Sequence, residues 1–212
     1  MGHHAASTSK LAELRWHVLR ELGVLDPGTI NMRKIIVFTN ITLDGYVSGP
    51  NDSHDWVIAD QQLHEAVIDL LKTADLVLYD RKTYQMMVDA WPTVAEKPST
   101  PSYMIAFANA LNPMKKIVFS TTLKQVGWNT SLVKKFNSEE IRRMKELPGK
   151  NMILGGASMT QQFMLHGLID EFQLLVHPVF LGSGKPLFTK LKDRIILNLV
   201  SAETRYTRHG VS

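Results

Sequence analysis

Three short segments of this chain combine residue types that hold anions. Asp80-Arg81-Lys82-Thr83 joins two cations and a hydroxyl, Ser120-Thr121-Thr122 sets three hydroxyls in a row, and Gly155-Gly156-Ala157-Ser158-Met159 opens on two glycines. Glycine has no Cβ, so a phosphate can approach bare backbone beside it. Where such a segment joins the end of a strand to the start of a helix, the free N–H groups of the helix add to the attraction. Each segment also has an ordinary reading, as a solvated pair, a polar loop or a tight turn. Their recurrence at corresponding positions is what points to a cradle for a phosphorylated cofactor.

The surrounding pattern supplies those positions. Lys34–Phe38, Leu76–Tyr79, Lys116–Phe119 and Met152–Leu154 are short, continuous apolar runs rich in β-branched residues, the mark of strands buried on both faces. Helices are expected over Leu63–Lys72, Lys82–Ala90, Pro101–Leu111, from Ser138, and over Ser158–His166. The Trp91-Pro92 pair stops the second of these, since proline disfavours helix at the preceding residue. Trp128–Val133, Glu171–Leu181 and Ile195–Thr204 read as further strands, and Gly210–Ser212 as the start of another. Strands alternating with helices predict an α/β fold with a mostly parallel sheet covered on both faces, and the strand-rich last quarter suggests antiparallel additions. In such sheets ligands bind beyond the carboxyl ends of the strands.

Composition narrows the chemistry. The chain has 212 residues, a net charge of +4 and no cysteine. Disulfides, thiolate metal sites and cysteine nucleophiles are therefore excluded, and the chain suits a reducing cytoplasm. No apolar run approaches the roughly 18 residues of a spanning helix. The basic residues form no stripe with interleaved aromatics, so no nucleic-acid partner is expected. Residues 1–31 read as an appendage without a chemical role: a Met1-Gly2-His3-His4 leader, then a leucine stripe over Leu11–Leu25 closed by Asp26-Pro27-Gly28. Residues 32–212 read as one domain.

Standard signatures fail. Gly182-Ser183-Gly184-Lys185 lacks the earlier glycine of a phosphate loop, and Pro186 stands where it needs a hydroxyl, so it reads as a hairpin-like turn. There is no G-x-S-x-G elbow. His54, His64, His166 and His177 lack metal-ligand spacing and read as surface or structural residues, so no metal is expected.

Taken in order, Ile41-Thr42-Leu43-Asp44-Gly45-Tyr46, Tyr79–Tyr84, Val118–Leu123, Ile153–Ser158, and Gly167–Phe172 leading to His177-Pro178 and Gly182–Phe188 make a familiar series. It resembles the dihydrofolate-reductase-like proteins related to the C-terminal reductase domain of bacterial riboflavin biosynthesis. The resemblance covers essentially residues 32–212. It implies a three-layer α/β/α sandwich around a mixed, mostly parallel sheet, a homodimer, and hydride transfer from NADPH to a pteridine or aminopyrimidine-like heterocycle. Arg81, Lys82 and Thr83 would meet the cofactor phosphates, and Ser120, Thr121 and Thr122 the adenosine ribose. Gly155, Gly156, Ala157, Ser158 and Met159 would cradle the pyrophosphate, in a family that often has a cis Gly-Gly bond.

On the substrate side, Asn40 and Trp56 are expected to line the site, with Asp44 as the substrate-facing acid. Asp60 and His64 fall near the helix carboxylate of folate reductases. Asp80 stands where the family usually has glycine, and a carboxylate there repels phosphate unless it turns away or pairs with Arg81 or Lys82. A diverged nucleotide-binding protein without turnover is the alternative reading.

Overall fold

The computed structural model describes residues 32–189, 191 and 194–203. The leucine stripe of residues 11–25 and the expected strand at Gly210–Ser212 lie outside them.

Alternation along the strands decides the layers. Eight strands run β1 Ile35–Thr42, β2 Tyr46–Ser48, β3 Ala74–Asp80, β4 Lys115–Phe119, β5 Thr130–Val133, β6 Asn151–Gly155, β7 Glu171–His177 and β8 Lys185–Pro186. The helices are α1 Gln61–Lys72, α2 Arg81–Ala90, α3 Ser102–Leu111, α4 Ser138–Glu146 and α5 Ala157–Leu165. Ile36, Val77, Tyr79, Val118 and Ile153 point to one face and pack with Val67, Leu70 and Leu71 of α1, Tyr84 of α2 and Phe107 and Leu111 of α3. Their neighbours Ile35, Val37, Leu76, Leu78, Phe119, Met152 and Leu154 point to the other, against Ile141 of α4 and Met159 and Phe163 of α5. A strand with both faces buried must be apolar throughout, which is why these runs show no polar alternation. The result is the expected three-layer α/β/α sandwich.

The main sheet has the order β5-β4-β3-β6-β1-β7, and every pair in it is parallel. Antiparallel pairing among the described residues is confined to a separate ribbon of β2 and β8. The Gly182–Lys185 turn feeds that ribbon. Gly184 sits at φ +139°, and a Cβ there would strike the backbone of Ser48. The turn therefore requires glycine on both counts.

Three expectations fail. Residues 195–203 form no strand: Ile196, Leu199 and Val200 are more than four-fifths exposed and pair with no described strand. Apolar alternation qualifies a segment for a sheet edge but supplies no partner. The strand from Glu171 stops at His177, because Pro178 has no N–H for a ladder. No described peptide bond is cis, Gly155–Gly156 included.

One buried cation holds the far end of the sandwich. Lys116, 1% exposed, donates from Nζ to the carbonyls of Leu111, Asn112 and Met114, and lies 4.1 Å from the Trp128 ring centroid. It closes the C-terminus of α3, where the Leu111 and Met114 carbonyls also accept from the Met114 N–H and Asn129 Nδ2, respectively, and the Asn112 carbonyl has Lys116 as its donor. Burial pushes its amine down to about 8.

Candidate functional site

Because all six strands are parallel, their carboxyl ends share one edge of the sheet. In sheet order that edge presents Val133, Ser120, Asp80, Gly155, Thr42 and His177. The three segments expected to hold anions follow β4, β3 and β6, which are adjacent, and β1 and β7 continue the row.

The centre of the first half is Asp80, 5% exposed. Its Oδ1 accepts the N–H of Thr83 at 2.9 Å and its Oδ2 the N–H of Ser158 at 3.2 Å, so one carboxylate caps both α2 and α5. Carboxylates are favoured at helix N-termini, and this one serves two. It turns inward, pairing with neither Arg81 nor Lys82. Gly156 lies at φ +104°, and a Cβ on it would run into the Asp80 carboxylate. That glycine is therefore required by the side chain beneath it as well as by its backbone.

Three cations stand at the two helix starts that Asp80 caps. Arg81 donates to Gln85 Oε1 at 2.7 Å, Lys82 pairs with Asp52 at 2.6 Å, and Lys185 donates to Ser158 Oγ at 3.0 Å. Each partner is exposed and exchangeable, so all three cations can turn to an anion. Ser120 is occupied locally: its Oγ accepts the N–H groups of Thr122 and Leu123, while Thr121 and Thr122 are exposed. Ala157 and Met159 bury their side chains in the core, so only their backbone faces this edge.

The second half is built on His177. Its Nε2 lies 2.9 Å from Asn40 Oδ1, and its Nδ1 accepts the N–H of Ile58 at 3.4 Å. The ring meets Trp56 edge-on, with centroids 5.3 Å apart, and the Trp56 indole N–H is buried without a partner. Burial holds the imidazole below its ordinary range, against a weaker opposite pull from Asp60.

Two acids have structural work. Asp60 caps α1 by accepting the Leu63 N–H at 3.0 Å. Asp44, expected as the substrate-facing acid, accepts the Thr42 hydroxyl at 2.5 Å and the N–H groups of Leu181 at 3.0 Å and Gly182 at 2.7 Å. The Thr42 hydroxyl, helped by those amides, holds it below the usual carboxylate range against a smaller desolvation effect. An ionised carboxylate with its lone pairs taken ties two loops together and has no proton to give. His64 faces away from the edge, among Trp91, Tyr103 and Phe107, with its Nδ1 2.7 Å from the Asp60 carbonyl.

His177 and Lys185 are the residues the sequence reading missed. A histidine ending a buried strand beside a proline stop was the available signal for the first. The second was set aside with its turn. Among the described residues no group of histidines and acids could hold a metal.

A family model, the RibD C-terminal domain, matches residues 33–209. The chain belongs to that family. Members similar to it include YyaP of Bacillus subtilis strain 168, 36% identical over 176 residues, covering 82% of this chain and 90% of that protein. YwjB of the same strain is 28% identical over 169 residues, covering 79% and 89%. Both relatives are themselves described as uncharacterized. Among solved structures, a candidate riboflavin biosynthesis protein from Shewanella sp. PV-4 superposes with a TM-score of 0.63 at 24% identity, covering 80% of this chain and 91% of that one. RibD of Acinetobacter baumannii gives 0.54 at 14% identity, covering 77% and 51%. At these identities the solved structures speak for the fold. The row of strand ends described above is the edge at which open parallel α/β sheets bind ligands.

Proposed function

We propose that this protein is an NADPH-dependent reductase that passes hydride to a pteridine or aminopyrimidine-like heterocycle. The observation that carries the reading is the single row of strand ends: hydroxyl-bearing over β4, cationic over β3 and glycine-lined over β6, then polar and partly enclosed over β1 and β7. A dinucleotide laid along it would have its anionic part among Arg81, Lys82 and Lys185 and its reactive end near Asn40. The residues fit such a group, since Gly156 is open where any side chain would collide and three cations hold only exchangeable partners.

NADPH, when bound, supplies the hydride, so the protein's work is to bind, orient and exclude water. Arg81, Lys82 and Lys185 would neutralise phosphate. Gly155 and Gly156 would allow its close approach. Asn40 and Trp56 would bound the seat of the heterocycle, and Asp44 would keep the two loops beside it in place. The acceptor would be an electrophilic ring or imine carbon, with the proton for its neighbouring nitrogen coming from solvent. A cytoplasmic setting is supported by the absence of cysteine. Among the described residues no helix is long and apolar enough to cross a membrane. A homodimer is supported by the exposed apolar side chains Phe180, Ile196, Leu199 and Val200.

Asp80 favours the second reading, a nucleotide-binding protein without turnover, because its carboxylate holds donors of both helix N-termini. Thermal stability with and without NADPH or NADH separates the two, since a ligand bound only by the native state raises it. No shift with either cofactor sinks both readings. A shift followed by NADPH consumption with dihydrofolate or an aminopyrimidine supports the reductase, and binding without consumption across that panel supports the second.

A further inference from the structure

Backbone geometry determines which way the Asn40 amide faces. The Ile58 N–H can only donate, so His177 Nδ1, its acceptor, carries no proton. The neutral ring then bears its proton on Nε2. That N–H points at Asn40 from 2.9 Å and must meet the amide oxygen, since the NH2 group could not accept it. The Asn40 oxygen is thereby consumed. Its Nδ2 has no partner among the described residues and, unlike the Trp56 indole nitrogen, is not sealed from solvent. His177 is 7% exposed, and the Trp56 indole, whose N–H has no partner among the described residues, meets its imidazole edge-on. Burial of the imidazole also disfavours its charged form, which would have no acceptor for Ile58. An open donor beside a buried, unmet donor calls for an acceptor that the protein does not provide.

We infer that Asn40 is a specificity-determining residue and His177 its positioning residue: together they present only N–H donors, selecting a heterocycle that turns an exocyclic carbonyl to this point and rejecting one that turns an amino group. The inference rests on the reading of this cleft as the seat of the heterocycle. Without His177, the amide is free to rotate and offer either end, so selection should vanish while the seat survives. A buried amino group facing a fixed NH2 leaves donors unpaired on both sides, and such mismatches are what sites discriminate against most strongly.

The test is calorimetric binding of 5,6-diaminouracil and 2,4,5,6-tetraaminopyrimidine to the full chain, with and without NADPH. The two probes share the pyrimidine skeleton: the uracil has carbonyl oxygens at two positions with N–H groups in the ring, and the other has NH2 at those positions with bare ring nitrogens, so the comparison reads which exocyclic group faces Asn40. Wild type should bind the uracil at least tenfold more tightly. Asn40→Asp, which offers an acceptor of the same shape, should cancel or reverse that ratio, and His177→Leu should reduce it below about threefold. Equal affinities in wild type, an unchanged ratio in Asn40→Asp, or binding of neither probe overturns the inference. Nitrogen-15 shifts of labelled histidine supply a readout that needs no variant: His177 should carry its proton on Nε2, and a proton on Nδ1 alone refutes the lock. A preserved uracil preference without any NADPH effect would remove the reductase reading and leave the donor lock standing. NADPH binding without discrimination would do the reverse.

Discussion

Replacing Asp80 by Asn should weaken the fold and tighten the cofactor. The wild-type carboxylate accepts one N–H from each of two helices, at 2.9 and 3.2 Å. Hydrogen bonds to charged groups are worth about 1.5–3 kcal/mol each. An asparagine keeps one acceptor oxygen, so it can serve Thr83 or Ser158 but turns an NH2 toward the other. The expected loss is about 2 kcal/mol, read as a lower denaturation midpoint in urea. The charge acts in the other direction on an anion. A phosphate about 6 Å from the carboxylate, at an effective dielectric of 20–40, is repelled by roughly 1.5–3 kcal/mol. Removing that charge should tighten NADPH about tenfold or more, since 1.4 kcal/mol is about a factor of ten. Titration calorimetry on wild type and Asp80→Asn at one ionic strength measures it. Asp80→Gly provides a second variant, because glycine as an N-cap costs only about a few tenths of a kcal/mol. Folded variants whose NADPH affinity is unchanged or weaker would refute the reasoning, because the carboxylate would then not be competing for the anion seat.

Three further outcomes are expected. Gly156→Ala should cost more than about 2 kcal/mol, from a φ unsuited to alanine and contact with Asp80, and Asp80→Gly in the same chain should recover part of it; additivity of the two within about 0.5 kcal/mol would contradict that. Asp44 titrates lower in the folded state, so its stabilisation is present above the unfolded carboxylate range and lost as pH falls through the folded value. Asp44→Asn should therefore lower the melting temperature near neutrality and make little difference in strong acid, and an equal effect at both ends would exclude the loop-tie role. Lys116→Met removes a charged donor from three carbonyls at the α3 terminus, leaving the Asn112 carbonyl without one, and should cost about 2 kcal/mol. Because the folded amine titrates near 8 and the unfolded one near 10.5, the unfolded chain binds more protons between those values, and wild type should gain stability across that window while Lys116→Met does not; parallel pH profiles would show that the amine is not held as described.

Much of the scaffold was legible because it is recorded locally. The four core strands, the helix stop at Trp91-Pro92 and the helix end at Gly167 follow from neighbours in the chain, and the structure reproduces them within a few residues. The half proposed to hold the anion was legible for the same reason, as a strand end, its glycine or cation and the following helix are contiguous in sequence. The resemblance added the order of those segments.

What the sequence could not state is which side chain meets which across the fold. Asp44 looked like a free acid until the loop at Leu181–Gly182 closed on it, 137 residues away. His177 looked like a surface histidine until β7 lay beside β1 and brought it to Asn40. Asp80 looked like a charge beside phosphates, and only the neighbouring helix α5 shows it to be a shared cap. Residues 195–203 have the pattern of a strand and no partner among the described ones. Periodicity and composition determined the elements and their buried faces, because those depend on local conformation and on apolar area. The tertiary structure decided the roles of the polar groups, because a hydrogen bond is settled by the atom opposite, and that atom is usually distant in the chain.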